Sequence, residues 1–428
     1  MKDNPYKLTL LDNGLRVVTH QMKDRVSVAV GIGIAAGGRY ENDENKGVAH
    51  FLEHILFKGS EHYSCSAIKE KVEGVGGSLN AFTSEEQTCY YAKVPAAYLN
   101  RSFDVLADMV ISPKIPKPEF EKERNVILEE IKMYHDLPQY QVMEMLDELM
   151  WPNQPLGKSL AGTAESVQML KQKDLRRFHQ SHYVAKNIVV AACGAVNHNS
   201  FVTVVRSKFK ALPCVDVQTF SPASLSDGKQ RLRIFTKEIE QTHLAFGVPG
   251  LEEKHPDRYV YYLLHIILGG NMSSRLFNEV REKRGLAYSI SSGIKALRDT
   301  GMFLISAGVD KDKLVEAVEV ILQQLKKIAK SGVEKDEFNR AKEFYLGQVQ
   351  LNLESTTNQL FWAVGMIMID DELRTLSDVV NAVKKITVSD VKRVARTLFK
   401  DERYHLAVVG PVKKDQTEQL EKLFAVSR

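Results

Sequence analysis

Hydrophobic and polar residues alternate along several short segments of the first 100 residues, which predicts β-strands. Residues 15–19 and 27–34 are rich in β-branched side chains and lie next to glycine pairs or Asn-Gly turns. Residues 79–83 and 88–94 flank a polar turn and predict a hairpin. We expect the outer strand of this hairpin to lie at the edge of a sheet.

Apolar residues recur with a helical period in most of the segments that follow. The pattern predicts helices over residues 66–75 and 99–111, and a long helix from Pro118 to about Tyr134. Helical patterns continue to Ser181, after which residues 187–194 have the continuous apolar character of a buried strand.

The order of these elements repeats after about 217 residues, which predicts a duplicated domain. The matching segments are 15–18 with 232–235, 118–120 with 336–338, and 189–194 with 406–410. Residues 212–230 are rich in proline and serine and lack an apolar period. We therefore predict an α+β fold with two homologous domains, each a mainly antiparallel sheet packed with helices, at 1–215 and 231–428, joined by a linker at 216–230.

The composition excludes several classes of protein. The 428 residues include 58 basic and 54 acidic side chains that are well interspersed, so no basic block indicates a nucleic-acid partner. The sequence contains no signal peptide and no apolar stretch long enough to span a membrane. Four cysteines without a disulfide-like spacing favour a reducing compartment. We expect a cytoplasmic protein, with a mature organellar form as the alternative.

The candidate chemistry is concentrated in the pattern His-x-x-Glu-His at His50, Glu53 and His54. Because each residue of a helix advances about 100°, the two histidines share one face. Catalytic zinc commonly binds two histidines and one carboxylate and leaves a position for water, and the glutamate of this inverted motif is free to act as a base. The alternative interpretation is a pair of core histidines on an amphipathic helix.

The third ligand must come from elsewhere in the chain, and the glutamate-rich predicted helix at 118–134 is the obvious source. We expect Val126, Ile127 and Leu128 to pack this helix inside the protein. Spacing alone does not distinguish Glu129 from Glu130 as the ligand.

The second half of the chain lacks these residues. The repeat places Ile267 and Asn271 at the positions of the histidines, and Ala341 and Gln348 at the positions of Glu123 and Glu130. A side chain that the fold required would be expected in both halves, so the set indicates chemistry confined to the first. His179 and His182 are three residues apart without a suitable carboxylate, and we interpret them as structural or surface residues.

The chain resembles the pitrilysin, insulysin and mitochondrial processing peptidase family, and most closely its branch with short subunits. The resemblance covers nearly the whole chain and rests on the His-x-x-Glu-His helix, residues 76–81, the glutamate-rich helix, and residues 268–276 and 285–288. It implies a zinc peptidase with one Zn²⁺ per chain and identifies Glu130 as the third ligand. It also implies that Glu123 orients a ligand histidine, although an ordinary exposed glutamate is the alternative.

The resemblance further implies a substrate site. Asn80, Ala81 and Thr83 would lie on an edge strand to which an extended peptide adds, unless the protein itself covers that edge. Arg281 and Tyr288 would hold the substrate carbonyl and stabilise the oxyanion, whereas a solvated helix face is the alternative for Arg281. Two such domains would form half of a clamshell chamber, so we expect a homodimer.

The predicted function is a zinc metalloendopeptidase that cleaves short unfolded peptides or presequences inside that chamber. Glu53 would act as the general base and return the proton to the leaving amine. One alternative is a non-catalytic structural or partner subunit of a processing-peptidase-like complex. Another is a presequence-processing subunit that requires a dissimilar partner.

Overall fold

The computed structural model describes residues 4–216, 219–226, 230–369 and 372–425. The chain divides into two units, and each of them is formed by separate stretches of sequence. Unit 1 contains Met1–Ile131, Ser159–Ser221 and Gln350–Thr375, and unit 2 contains Lys132–Lys158, Pro222–Val349 and Leu376–Arg428. One boundary between the units, at Ser221 and Pro222, falls within the predicted linker. Each unit also includes a segment from the other half of the sequence.

Strands and helices are interspersed along the chain. The strands are β1 (Tyr6–Leu10), β2 (Arg16–Gln21), β3 (Ser27–Ile34), β4 (Ser78–Thr83), β5 (Thr88–Pro95), β6 (Ile188–Gly194), β7 (Leu232–Thr236), β8 (Gln241–Pro249), β9 (Ala287–Ala296), β10 (Gly301–Asp310) and β11 (His405–Gly410). The helices are α1 (Val48–Leu56), α2 (Cys65–Glu73), α3 (Leu99–Ile111), α4 (Lys117–Asp136), α5 (Pro138–Met150), α6 (Ala164–Met169), α7 (Gln172–His182), α8 (His198–Phe209), α9 (Arg258–Leu268), α10 (Leu314–Ser331), α11 (Lys335–Asn352), α12 (Thr356–Ile369), α13 (Leu376–Lys385), α14 (Val388–Leu398) and α15 (Lys414–Phe424).

The two sheets share five strands in the same order, with β1 as an additional edge strand in unit 1, which confirms the predicted duplication. The sheet of unit 1 has the order β1-β2-β6-β3-β5-β4, and that of unit 2 has the order β7-β11-β8-β10-β9. In each sheet one pair is parallel, β2 with β6 and β7 with β11, and all other pairs are antiparallel. The mainly antiparallel α+β architecture is therefore confirmed, and β4 lies at a sheet edge as predicted.

Both faces of the unit 1 sheet are covered, which explains the continuous apolar sequence of β3. The first-half helices form the core on one face, and α12 packs on the other. A Cβ at Gly33 would lie 2.6 Å from the side chain of Val364, so α12 approaches too closely for any larger residue there.

The unit 2 sheet is covered in a corresponding way by α5, which comes from the first half of the sequence. Val142, Leu146 and Leu149 of this helix are buried against the sheet. A Cβ at Gly247 would lie 2.9 Å from a terminal methyl of Leu146, so a larger residue there would displace this side chain at the close approach of helix and strand. Each unit thus obtains one covering helix from the opposite half of the chain.

Helix α4 agrees with the predicted long helix, but its buried face is narrower than expected. Ile127 is buried and Leu128 is partly buried, whereas Val126 is 49% exposed, so the expectation that all three pack inside was wrong for Val126. Consecutive residues of a helix point in different directions, so three in a row seldom share one buried face. No helix within the described ranges is both long and apolar enough to cross a membrane.

Candidate metal centre

Helix α1 holds the first two candidate ligands on its less buried face. Gly47 begins the helix with a φ of 91°, a left-handed conformation that favours glycine. Phe51, Leu52 and Ile55 are fully buried in the core of unit 1 and fix the rotation of the helix. His50 and His54 therefore stand together, with ring centroids 4.6 Å apart.

A buried carboxylate caps this helix from the preceding segment. Glu41 accepts hydrogen bonds from the amides of Gly47, at 3.0 Å, and Ala49, at 2.8 Å. Lys46 forms an ion pair with the same carboxylate at 3.0 Å, and both side chains are almost completely buried. A negative charge at a helix N-terminus also interacts favourably with the helix dipole. Glu41 and Lys46 were not singled out from the sequence, where they resemble ordinary surface charges.

We expect Glu41→Ala to destabilise helix α1 by about 3 kcal/mol, because it leaves Lys46 buried without a counter-charge and two amides without an acceptor. Hydrogen–deuterium exchange at the amides of Gly47 and Ala49 should become much faster. Replacing both Glu41 and Lys46 by methionine removes both charges together and should destabilise the helix less than Glu41→Ala does. Unchanged exchange in Glu41→Ala would show that the helix does not depend on this cap.

Helix α4 brings Glu130, and not the exposed Glu129, to the two histidines. A Glu130 carboxylate oxygen lies 3.8 Å from Nε2 of His50 and 3.6 Å from Nε2 of His54. One ligand atom from each of the three residues lies within 4.8 Å of the others. Two imidazole nitrogens and one carboxylate oxygen are the donors that a catalytic zinc ion prefers, so these residues fit the metal.

The protonation of the histidines is set by their surroundings. Burial, and secondly the neighbouring His54, lowers the pKa of His50 to about 4, which favours the neutral imidazole that a metal needs. Burial alone would lower the pKa of His54 as well. The hydrogen bond with Glu123 and the charges of Glu130 and Glu53 outweigh burial there and raise that pKa.

Glu123 lies behind His54. This glutamate is buried, with a carboxylate oxygen 3.3 Å from Nδ1 of His54 and the other oxygen 2.7 Å from Nζ of Lys58. Burial by itself raises the pKa of Glu123, but the interactions with His54 and Lys58 outweigh it and lower that pKa. An ionised Glu123 orients the His54 ring with Nε2 toward Glu130. Lys58 was missed in the sequence because nothing in its neighbourhood marks it.

Glu53 lies on the same helix but is not part of the metal-binding group. The hydroxyl of Thr83 on β4 donates a hydrogen bond of 2.5 Å to Oε2 of Glu53. Burial raises the pKa of Glu53, although Thr83 and His54 act against this and Glu130 adds to it. A carboxylate with a raised pKa is a better base near neutral pH. The structure therefore gives Thr83 a contact with Glu53 that the sequence did not predict.

The edge strand β4 also carries Asn80 and Ala81. Asn80 is exposed, and its side-chain oxygen accepts a hydrogen bond of 2.8 Å from the backbone amide of Ala81. A peptide strand that pairs with this amide would have to displace the Asn80 side chain. The contact gives the Ala81 amide a hydrogen-bond partner within its own strand.

Arg281 and Tyr288 belong to unit 2. Arg281 lies in a π-helical turn at Phe277–Glu282, and Tyr288 lies on β9, the edge strand of the second sheet. The guanidinium carbon is 5.9 Å from the centre of the Tyr288 ring, so the two side chains are neighbours. Tyr288 is 75% exposed, and the Arg281 guanidinium lies 4.7 Å from the centre of the Phe277 ring but forms no hydrogen bond or ion pair with a described residue. Both remain available to a ligand.

His179 and His182 take part in packing and not in the candidate centre. Nε2 of His179 lies 2.7 Å from the carbonyl oxygen of Val110, and Nδ1 of His182 lies 3.0 Å from that of Phe178. Within the described parts of the chain, His50, His54 and Glu130 are the group of histidine, cysteine and acidic residues that could hold a metal.

Comparison with known families matches most of the chain. Residues 16–164 match the family described as insulinase (peptidase family M16), and residues 170–345 match the peptidase M16 inactive domain. The uncharacterized zinc protease YmxG of Bacillus subtilis is 35% identical over 405 residues, which covers 93% of this chain and 97% of that protein. An uncharacterized zinc protease of Streptomyces coelicolor is 34% identical over 426 residues, covering 96% and 91% respectively.

Solved structures have a similar fold. A protease from Helicobacter pylori superposes with a TM-score of 0.89 at 25% identity, covering 95% of this chain and 100% of that chain. A peptidase M16 inactive domain from Pseudomonas fluorescens has the same TM-score at 21% identity, covering 95% and 98%. At that identity, the second likeness shows the fold alone.

Proposed function

Because the chain belongs to the insulinase family of peptidases, M16, we propose that it is a zinc metalloendopeptidase. The observation that carries the proposal is the convergence of His50, His54 and Glu130, with the Glu53 carboxylate beside them and outside the group. Three protein ligands leave a coordination position for water, as hydrolysis requires. Relatives named as zinc proteases support the choice of metal.

In the proposed mechanism His50, His54 and Glu130 would hold one zinc ion per chain. When bound there, the ion would supply Lewis acidity for the hydrolysis. Glu53 takes a proton from the attacking water, and the hydrogen bond from Thr83 keeps its carboxylate in position. Glu53 then gives this proton to the leaving amine. Glu123 holds the His54 ring throughout, and the cap from Glu41 keeps both histidines in place.

The proposed substrates are short unfolded peptides or presequences. An extended peptide would add to β4 beside Asn80 and Ala81 and gain main-chain hydrogen bonds that are largely independent of sequence. The family resemblance supports an enclosed chamber, which would exclude folded proteins. Arg281 and Tyr288 would stabilise the developing charge on the substrate carbonyl from the partner chain of a homodimer.

The homodimer predicts complementation between two inactive variants. An equimolar mixture of Arg281→Ala and Glu53→Gln subunits, allowed to exchange, should recover about a quarter of the wild-type activity, because half of the dimers are mixed and each has one complete site. Activity is measured on a quenched fluorescent peptide. Each variant mixed with itself is the control, and absence of any recovery after verified exchange would contradict action across the subunits.

Metal content together with peptide turnover tests the function itself. We expect one zinc per chain by elemental analysis, and cleavage products of an unstructured peptide by mass spectrometry. A chelator should abolish cleavage, and added zinc should restore it. Zinc binding without turnover of any peptide by the isolated protein would favour the alternative, a non-catalytic or partner subunit of a processing-peptidase-like complex.

A further inference from the structure

Unit 2 contains a cavity of about 210 Å³ beside helices α9 and α11. Ile266 and Ile267 on α9 and Ala341 on α11 line this cavity. Asn271, which follows α9, also lines it. The lining residues include no histidine or cysteine, so the cavity is unsuited to zinc.

One side of the cavity is apolar. Ile266 and Ile267 from α9 and Ala341 from α11 are buried around it. Phe344, one turn further along α11, also lines the cavity and is 37% exposed. Exposed aromatic surface beside buried aliphatic side chains favours the binding of an apolar group.

The other side offers hydrogen-bond donors that have no partner among the described side chains and backbone groups. Ser274 is buried, and its hydroxyl has no hydrogen-bond partner among the described residues. A buried polar atom of this kind is unfavourable unless something satisfies it. Arg340 is exposed, and its side chain forms no hydrogen bond or ion pair with any residue that the structure describes. Both side chains line the cavity.

The acidic residue among those that line the cavity is already neutralised. Glu337 lines the cavity, but Arg275 binds both of its carboxylate oxygens, at 2.8 and 2.6 Å. The uncompensated charge at the cavity is therefore the guanidinium of Arg340. A ligand that satisfies this surface has an anionic oxygen group next to an apolar group.

We propose that this cavity binds the C-terminal residue of a peptide, with its carboxylate at Arg340 and Ser274 and its apolar side chain against Ile266, Ile267 and Phe344. The cavity is smaller than the roughly 300–1,000 Å³ of sites for drug-sized molecules, which suits a single residue. The choice of a peptide end rests on the proposed function, because hydrolysis of a peptide bond produces a new carboxyl terminus. The site would hold substrates or products by their ends.

The test uses the full-length zinc-loaded protein and N-acetyl-L-leucine as the probe, titrated by calorimetry and ligand-observed NMR. We expect the acid to bind at least about tenfold more tightly than N-acetyl-L-leucinamide, which lacks the charge. We expect Arg340→Ala and Ser274→Ala each to weaken the binding of the acid by about tenfold or more. Arg396→Ala, which removes an exposed arginine on α14, is the matched control and should leave binding unchanged.

Ser274→Ala is informative because it removes an unpaired hydroxyl with little change in volume. The variant should fold with undiminished thermal stability, so lost affinity would report on the ligand. The proposal would be overturned if the acid and the amide bound equally well, or if neither substitution changed the affinity for the acid. It would also be overturned if inorganic phosphate bound in place of the probe. If the protein cleaves peptides but does not bind the probe, only the proposal for the cavity is contradicted. If it binds the probe but cleaves no peptide, only the proposed peptidase function is contradicted.

Discussion

Replacing Glu53 by glutamine should reduce peptide hydrolysis by about 10²–10⁴-fold while zinc stays bound, because the amide cannot accept the proton of the attacking water. Glutamine keeps the size of the side chain and can still accept the hydrogen bond from Thr83. His50, His54 and Glu130 are untouched. The expected result is a large fall in kcat with the zinc content unchanged.

Zinc content and turnover must be measured on the same sample for this result to be decisive. Glu70→Gln, which changes an exposed glutamate on α2, is the matched control and should keep full activity. A Glu53→Gln enzyme with wild-type kcat would refute the general-base assignment. Loss of zinc from this variant would instead indicate that Glu53 helps to hold the metal.

The second large effect is expected at the acidic ligand. Glu130→Gln should weaken zinc binding by at least about a hundredfold, because substitutions beyond the direct ligands already cost about 10–100-fold. The charged oxygen near both histidines is replaced by a neutral amide. Zinc affinity is measured by competition with a chelator of known affinity, and peptide turnover should fall with it.

The neighbouring residue supplies the control. Glu129 is an exposed glutamate on the same helix, one position before Glu130, so Glu129→Gln makes the same chemical change outside the site. We expect this variant to retain wild-type zinc affinity and activity. Equal losses in the two variants, or a loss confined to Glu129→Gln, would mean that the third ligand has been assigned to the wrong residue.

Much of the fold follows from local sequence patterns. Alternating apolar residues identified the strands that became β3, β4 and β5, and helical periodicity identified α3 with the bounds that the structure shows. The repeat of about 217 residues predicted a duplicated domain, which the structure confirms with five strands in the same order in both sheets. These patterns work because strands and helices have fixed periods, and burial of one face requires apolar residues at that period.

Local patterns could not predict that each unit includes a helix from the other half of the sequence. Helix α5 is in the first half of the chain and packs on the unit 2 sheet, while α12 is in the second half and packs on the unit 1 sheet. Both helices have apolar faces that indicate burial but not the sheet that buries them. The glycines that admit them, Gly33 and Gly247, give no indication of the partner in sequence.

The sequence by itself determined that His50 and His54 share a helical face with Glu53 beside them, because that arrangement depends only on the geometry of one turn of helix. Only the tertiary structure decided that Glu130 reaches the histidines, that Glu123 and Lys58 lie behind His54, and that Glu41 caps α1. These contacts join residues from different elements. Their distances depend on how the elements pack, and no short-range pattern records that packing.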